Sequence, residues 1–187
     1  QGAERAEVVY DERGPGYRYS RLELAYAAAR TACAPVQEHP VRRRGDLGAQ
    51  KLIALTFNGG PSAYTPQVLA LLARYGAAAT FFVSGRKVEG HERLLRRMLV
   101  EGNEIANGTY SQTDLAGESD EGVAEEIVRT SDAVSDATGD EPCLVRPPFG
   151  SDADRVARIA KQGGLTTALW SVDPGDYAAA TPDAIAD

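Results

Sequence analysis

The sequence predicts an α/β fold with a mainly parallel sheet, and three observations carry that prediction. From residue 51 onward, short β-type apolar runs alternate with amphipathic helical segments. The connections are short, and strict β-α alternation of this kind builds a parallel sheet, open or closed into a barrel, with right-handed crossovers. The irregular glycine- and proline-rich segments all follow strands: "NGGP", "SGRKVEG", "GTYSQTD", "RPPFG" and "DPGDY". Five loops therefore converge on the rim at the C-terminal ends of the strands, where such sheets hold their functional groups.

The elements follow in order. "KLIALTF" is a nearly continuous apolar strand. "TPQVLALLARYG" reads as a helix with Thr65 as N-cap, Pro66 in the first turn and Gly76 as its stop. Val68, Leu69, Leu71, Leu72 and Tyr75 share its broad apolar face. "AATFFV" is the next strand, "HERLLRRMLVEG" a helix, and "NEIAN" a strand. The longest helix, "SDEGVAEEIVRTSDAVSDATG", opens at Ser119 with acids in its first turn and closes at Gly139. "CLVR" and "LTTALWSV" are strands flanking a helix opened by Ser151, and "TPDAIAD" begins one more helix.

Residues 1–50 differ in kind. "SRLELAYAAARTACA" reads as a helix and "PVQEHPVRRRGDLGAQ" as a surface linker, so this part is expected to be an extension packed on a main body spanning 51–187. At 187 residues and 43% hydrophobic content the chain suits one domain with a substantial core. No run approaches the roughly 20 consecutive apolar residues of a membrane-spanning helix, which predicts no transmembrane segment. A net charge of −7 argues against a nucleic-acid partner, since phosphate binding concentrates Lys and Arg. "QGAERAEVV" lacks the pattern of a secretory signal, as a mature secreted chain also would. Cys33 and Cys143 can form one disulfide that ties the extension to the body, or remain two buried thiols.

The rim loops carry a resemblance. Thr56-Phe57-Asn58-Gly59-Gly60-Pro61 stands against T-F-D-D-G-P, and Asn107-Gly108-Thr109-Tyr110-Ser111-Gln112 against N-H-T-x-S-H. Arg146-Pro147-Pro148-Phe149-Gly150 matches R-x-P-[YF]-G, and the run from Trp170 to Tyr177 corresponds to a fourth motif ending D-x-x-D-W. With these four motifs in order, residues 50–187 resemble the polysaccharide deacetylase family, the NodB-homology domain or carbohydrate esterase family four. The resemblance implies a deformed (β/α) barrel. A fifth motif, L-x-x-H, would lie beyond Ala180, so the domain is expected to be incomplete at its C-terminus.

The family chemistry is metal-assisted removal of an acetyl group, with one Asp as general base and an Asp and two His on a divalent metal such as zinc. Those positions fall on Asn58 for the base and on Gly59, Gly108 and Gln112 for the metal. An amide is no base near neutral pH, glycine has no side chain, and a catalytic metal needs about three protein ligands. The resemblance therefore implies no metal cofactor here. His39 and His91 lie in the linker and at a helix start, away from these positions.

Other family positions persist. Arg146 would orient the base, now Asn58, and Asp173 or Asp176 would tune the absent last-motif His; these charges can instead pair with one another. Tyr110, Pro147, Phe149, Trp170 and Tyr177, with Tyr64 nearby, form the candidate sugar-facing set. The resulting expectation is a catalytically inactive deacetylase-like domain that keeps a surface for an acetamido-sugar glycan, in a secreted or cell-envelope setting. Two alternatives stand beside it: a structural or protein-partner module built on the old rim, and an inactivated or truncated form of a metal-dependent polysaccharide N-deacetylase.

Overall fold

The computed structural model describes Cys33, residues 41–42 and residues 53–178. The expected helices in 20–34 and 181–187, and His39, lie outside the described residues. The elements run β1 (Val41–Arg42), β2 (Leu55–Asn58), α1 (Thr65–Tyr75), β3 (Ala79–Val83), α2 (Glu92–Val100), β4 (Glu104–Asn107), α3 (Asp120–Thr138), β5 (Leu144–Val145), α4 (Ala153–Gln162) and β6 (Thr166–Ala168). The strands form one sheet in the order β1-β6-β5-β4-β3-β2, and every pairing is parallel. The sheet curls into a half-barrel, as the alternation and the motifs predict.

Strand alternation separates the two faces. On β3, Ala79, Phe81 and Val83 join the buried cluster formed with Leu69, Leu95, Met98 and Ile105. Phe82 points to the opposite, concave side, where the site lies, and is itself buried. A second cluster, including Val123, Ile127, Val145, Val156 and Leu165, packs α3 and α4 against β5 and β6. The helices thus sheathe the outer face and leave the concave face to the rim loops.

Caps set the helix ends. Ser119 accepts a hydrogen bond from the Gly122 N–H at 3.1 Å, and Gly76 and Gly139 end α1 and α3 in left-handed conformation, as the sequence indicates. Two starts differ. Thr65 is the first helical residue rather than the cap, because its Oγ1 accepts from the Ser62 N–H in the preceding turn. The cap of α4 is Asp152, with φ 49°, one residue beyond the expected Ser151.

The segment read as linker also differs: Val41–Arg42 pairs with Thr167–Ala168 and covers the outer edge of β6. The far edge, β2, has no strand partner beyond β3 among the described residues, and Ile53, Leu55 and Phe57 are exposed along it. Of the two readings for the cysteines, the disulfide is the one observed, Cys33 to Cys143. Because Ser119 satisfies an otherwise orphaned amide of the longest helix, Ser119→Ala is expected to lower unfolding stability by about 1 kcal/mol in urea titration, with the m-value unchanged.

Candidate functional site at the sheet rim

The site is organised by Arg146, which follows β5 and is 5% exposed. Its Nε donates to the Ala168 carbonyl at 2.9 Å and its Nη2 to the Leu169 carbonyl at 3.0 Å, both at the end of β6. Its Nη1 donates to Thr56 Oγ1 at 2.9 Å and to Asn58 Oδ1 at 3.0 Å, both on β2. The guanidinium carbon lies 3.8 Å from the Phe82 ring centroid and 5.6 Å from that of Trp170. Burial lowers its pKa to about 10, so it remains cationic at neutral pH.

All four acceptors are neutral. Pairing of Arg146 with Asp173 or Asp176 does not occur: both aspartates are exposed, and Asp173 instead accepts from the Gly175 N–H at 2.9 Å. The amide of Asn58 stands where an orienting arginine would hold a carboxylate. It accepts the same kind of hydrogen bond, but carries no charge and takes up no proton near neutral pH.

The three expected metal positions do converge. An added Cβ on Gly59 would sit 2.9 Å from Gln112 Oε1, and Gln112 Nε2 lies 3.5 Å from the Gly108 carbonyl. Yet among them only Gln112 supplies a side-chain donor, one neutral oxygen. Among the described residues no group of three or more His, Cys, Asp or Glu could hold a metal ion. His91 is exposed at the start of α2. The donor set does not fit a catalytic metal.

At two of these positions the backbone itself disfavours a side chain. Gly108 is buried, and a Cβ there would come within 2.7 Å of the Val83 carbonyl oxygen and 2.8 Å of that of Phe82. Restoring a histidine at this position requires the ends of β3 and β4 to part. Gly59 has φ 80°, a left-handed conformation that strains any residue with a Cβ. Even so, the rim keeps its unusual backbone elsewhere: Thr109, Gln112 and Phe149 hold φ of 68°, 59° and 58°. Such conformations persist only where the surroundings over-determine them, and they cluster at functional sites.

Hydrogen bonds between loops do that work. Ser84 N–H donates to the Gly60 carbonyl, Gly85 N–H to that of Thr109, and Ser84 Oγ to that of Tyr110. Asn107, fully buried, donates to the Ile127 carbonyl and Ser131 Oγ and accepts from the Thr109 N–H. Lys87 Nζ reaches the Gly59 carbonyl at 2.7 Å. Sequence reasoning missed Lys87, Thr56 and Phe82 as site neighbours. The strand alternation offered a signal for Phe82 and Thr56, whereas nothing in the sequence singled out Lys87.

The candidate sugar-facing residues divide. Phe149, Tyr177 and Tyr64 are 79%, 85% and 72% exposed. Trp170 is half-buried beside Gly150 and Arg146, and Pro147 is buried. Tyr110 is packed in place, with the Arg129 guanidinium 3.8 Å from its ring centroid and its ring edge against Gly85.

Removing Arg146 leaves four oxygens without their donor. Arg146→Ala is expected to destabilise the fold by about 2–4 kcal/mol in urea titration. Arg146→Lys should recover only part of this, because a single ammonium cannot span acceptors on two strands as the planar fork does.

Comparison with known proteins agrees with this geometry. The polysaccharide deacetylase family profile matches residues 46–168. A peptidoglycan-N-acetylglucosamine deacetylase of Bacillus cereus is 42% identical over 132 residues, covering 69% of this chain and 62% of that protein. The chain thus spans less than two thirds of that relative. The structure of the peptidoglycan deacetylase PdaC from Bacillus subtilis superposes with TM-score 0.68 at 40% identity, covering 73% of this chain and 67% of that one. A carbohydrate esterase family four pseudoenzyme from Bacillus anthracis superposes with TM-score 0.69 at 28% identity, covering 73% and 49%. With its four motifs, curled parallel sheet and matched profile, the chain belongs to the polysaccharide deacetylase family.

Proposed function

We propose that this deacetylase-family domain binds an acetamido-sugar glycan at its rim without hydrolysing it. One observation carries the reading: the base position and all three metal positions are occupied by Asn58, Gly59, Gly108 and Gln112, while the Arg146 scaffold beneath them is intact. Hydrolysis needs an activated water and a polarised carbonyl, and neither the amide nor the glycines supply them.

Binding has separate requirements, and the rim still meets them. Phe149 and Tyr177 present open aromatic faces of the kind on which pyranose rings stack, and the rigid left-handed turns beside them lower the ordering cost of binding. The family's glycan substrates point to peptidoglycan or chitin-type oligomers as the ligand class. A disulfide between Cys33 and Cys143 suits a secreted or cell-envelope location.

Calorimetric titration with chitin oligomers and peptidoglycan fragments tests the reading. Saturable binding is expected, weakened about tenfold or more by Tyr177→Ala, with urea stability unchanged because the ring is exposed. No binding to either glycan contradicts the reading and leaves the rim to a protein partner.

A further inference from the structure

An asparagine followed by glycine readily loses its side-chain amide, because a glycine without a Cβ leaves its backbone nitrogen free to turn on the side-chain carbonyl carbon. The chain has three asparagines, and two of them precede glycine: Asn58-Gly59 at the end of β2 and Asn107-Gly108 at the end of β4. Both glycine nitrogens donate to β3, Gly59 to the Phe82 carbonyl at 3.0 Å and Gly108 to that of Val83 at 2.8 Å. The surroundings of the two side chains differ.

Asn107 is fully buried, with its Nδ2 on the Ile127 carbonyl and Ser131 Oγ and its Oδ1 on the Thr109 N–H. At Gly108 the Val83 and Phe82 carbonyl oxygens stand 2.7 and 2.8 Å from where a Cβ would lie, so ring closure there would have to part the strands. Asn58 is exposed at the end of β2, which among the described residues has no strand partner beyond β3. Such an edge opens at a smaller free-energy cost than a strand paired on both sides. Two cations also flank this pair. Arg146 Nη1 donates to Asn58 Oδ1 at 3.0 Å, which draws electrons from the carbonyl carbon and stabilises the oxyanion that an attack creates. Lys87 Nζ lies 2.7 Å from the Gly59 carbonyl oxygen, a positive charge that favours loss of the Gly59 amide proton.

We propose that Asn58-Gly59 is a deamidation site, at which water converts the neutral partner of Arg146 into a carboxylate. The Gly59 nitrogen leaves the Phe82 carbonyl and bonds to Asn58 Cγ, closing a succinimide ring. The Cγ–Nδ2 bond breaks, and Nδ2 departs as ammonia with the Gly59 amide proton. Water then opens the ring: its hydroxyl goes to a ring carbonyl carbon, its other proton returns to the Gly59 nitrogen, and the new acid ionises. Opening at Cγ gives aspartate in an unchanged backbone, whereas opening at the backbone carbonyl gives isoaspartate, which adds a methylene to the chain. The aspartate accepts the Arg146 hydrogen bond as a charge-assisted one. The acid returns without metal ligands at 59, 108 and 112, so the proposed glycan binding stands or falls separately.

Peptide mapping by mass spectrometry tests this on the full oxidised chain, held in warm, mildly alkaline water enriched in heavy oxygen. Residue 58 is expected to become aspartate and isoaspartate carrying the heavy oxygen, at least about tenfold faster than residue 107 does. In urea the two pairs should convert at similar rates, because only the fold distinguishes them. Gly59→Ala is expected to slow conversion at residue 58 although it strains a left-handed position, whereas a reaction that merely followed unfolding would quicken. Conversion at Asn58 no faster than at Asn107 in the folded chain overturns the proposal. So does the same ratio between the two sites in urea, or an undiminished rate in Gly59→Ala.

Discussion

One buried guanidinium governs the shape of this domain. Arg146 follows β5, yet it binds side chains on β2, three strands away in the sheet, and the carbonyls at the end of β6 next door. In a flat sheet three strand spacings amount to about 14 Å, roughly twice what an extended arginine reaches. The hydrogen bonds to Thr56 and Asn58 can form only if the sheet curls, so Arg146 acts as a chord across the concave face. Phe82 lies beneath that chord because β3 alternation turns it inward, and β6 ends where the Ala168 and Leu169 carbonyls turn to the arginine.

The same residue ties the rim together without a charged partner. In a catalytic setting a buried arginine would be balanced by the carboxylate of the base. Here neutral oxygens and an aromatic face carry the charge, so Asn58 can replace an acid without leaving the guanidinium unsolvated. The metal positions carried no such structural burden. Gly59 and Gly108 bear no side chain, and at Gly108 the Val83 carbonyl oxygen lies 2.7 Å from where a Cβ would stand.

Much of this was legible in the sequence. The order of strands and helices, the Ser119 cap and the stops at Gly76 and Gly139 follow from local pattern, and local pattern survives folding when packing agrees with it. The convergence of Gly59 and Gln112 followed from the motifs. Other features depend on distances that no local pattern encodes. β1 is only two residues long, too short to carry a strand pattern in the sequence. The pairing of Cys33 with Cys143 requires a 5.2 Å approach between residues 110 apart in sequence. The neutral environment of Arg146, in place of an ion pair with Asp173 or Asp176, is set by the curl of the whole sheet.

On the reading proposed above, this deacetylase-family rim does not hydrolyse acetylated glycans. Acetate release from acetylated chitin oligomers and peptidoglycan, followed with the purified chain in excess zinc, tests it most directly. Release no faster than in a protein-free control is expected. Release above that background, abolished by chelation and by Asn58→Ala, would contradict it.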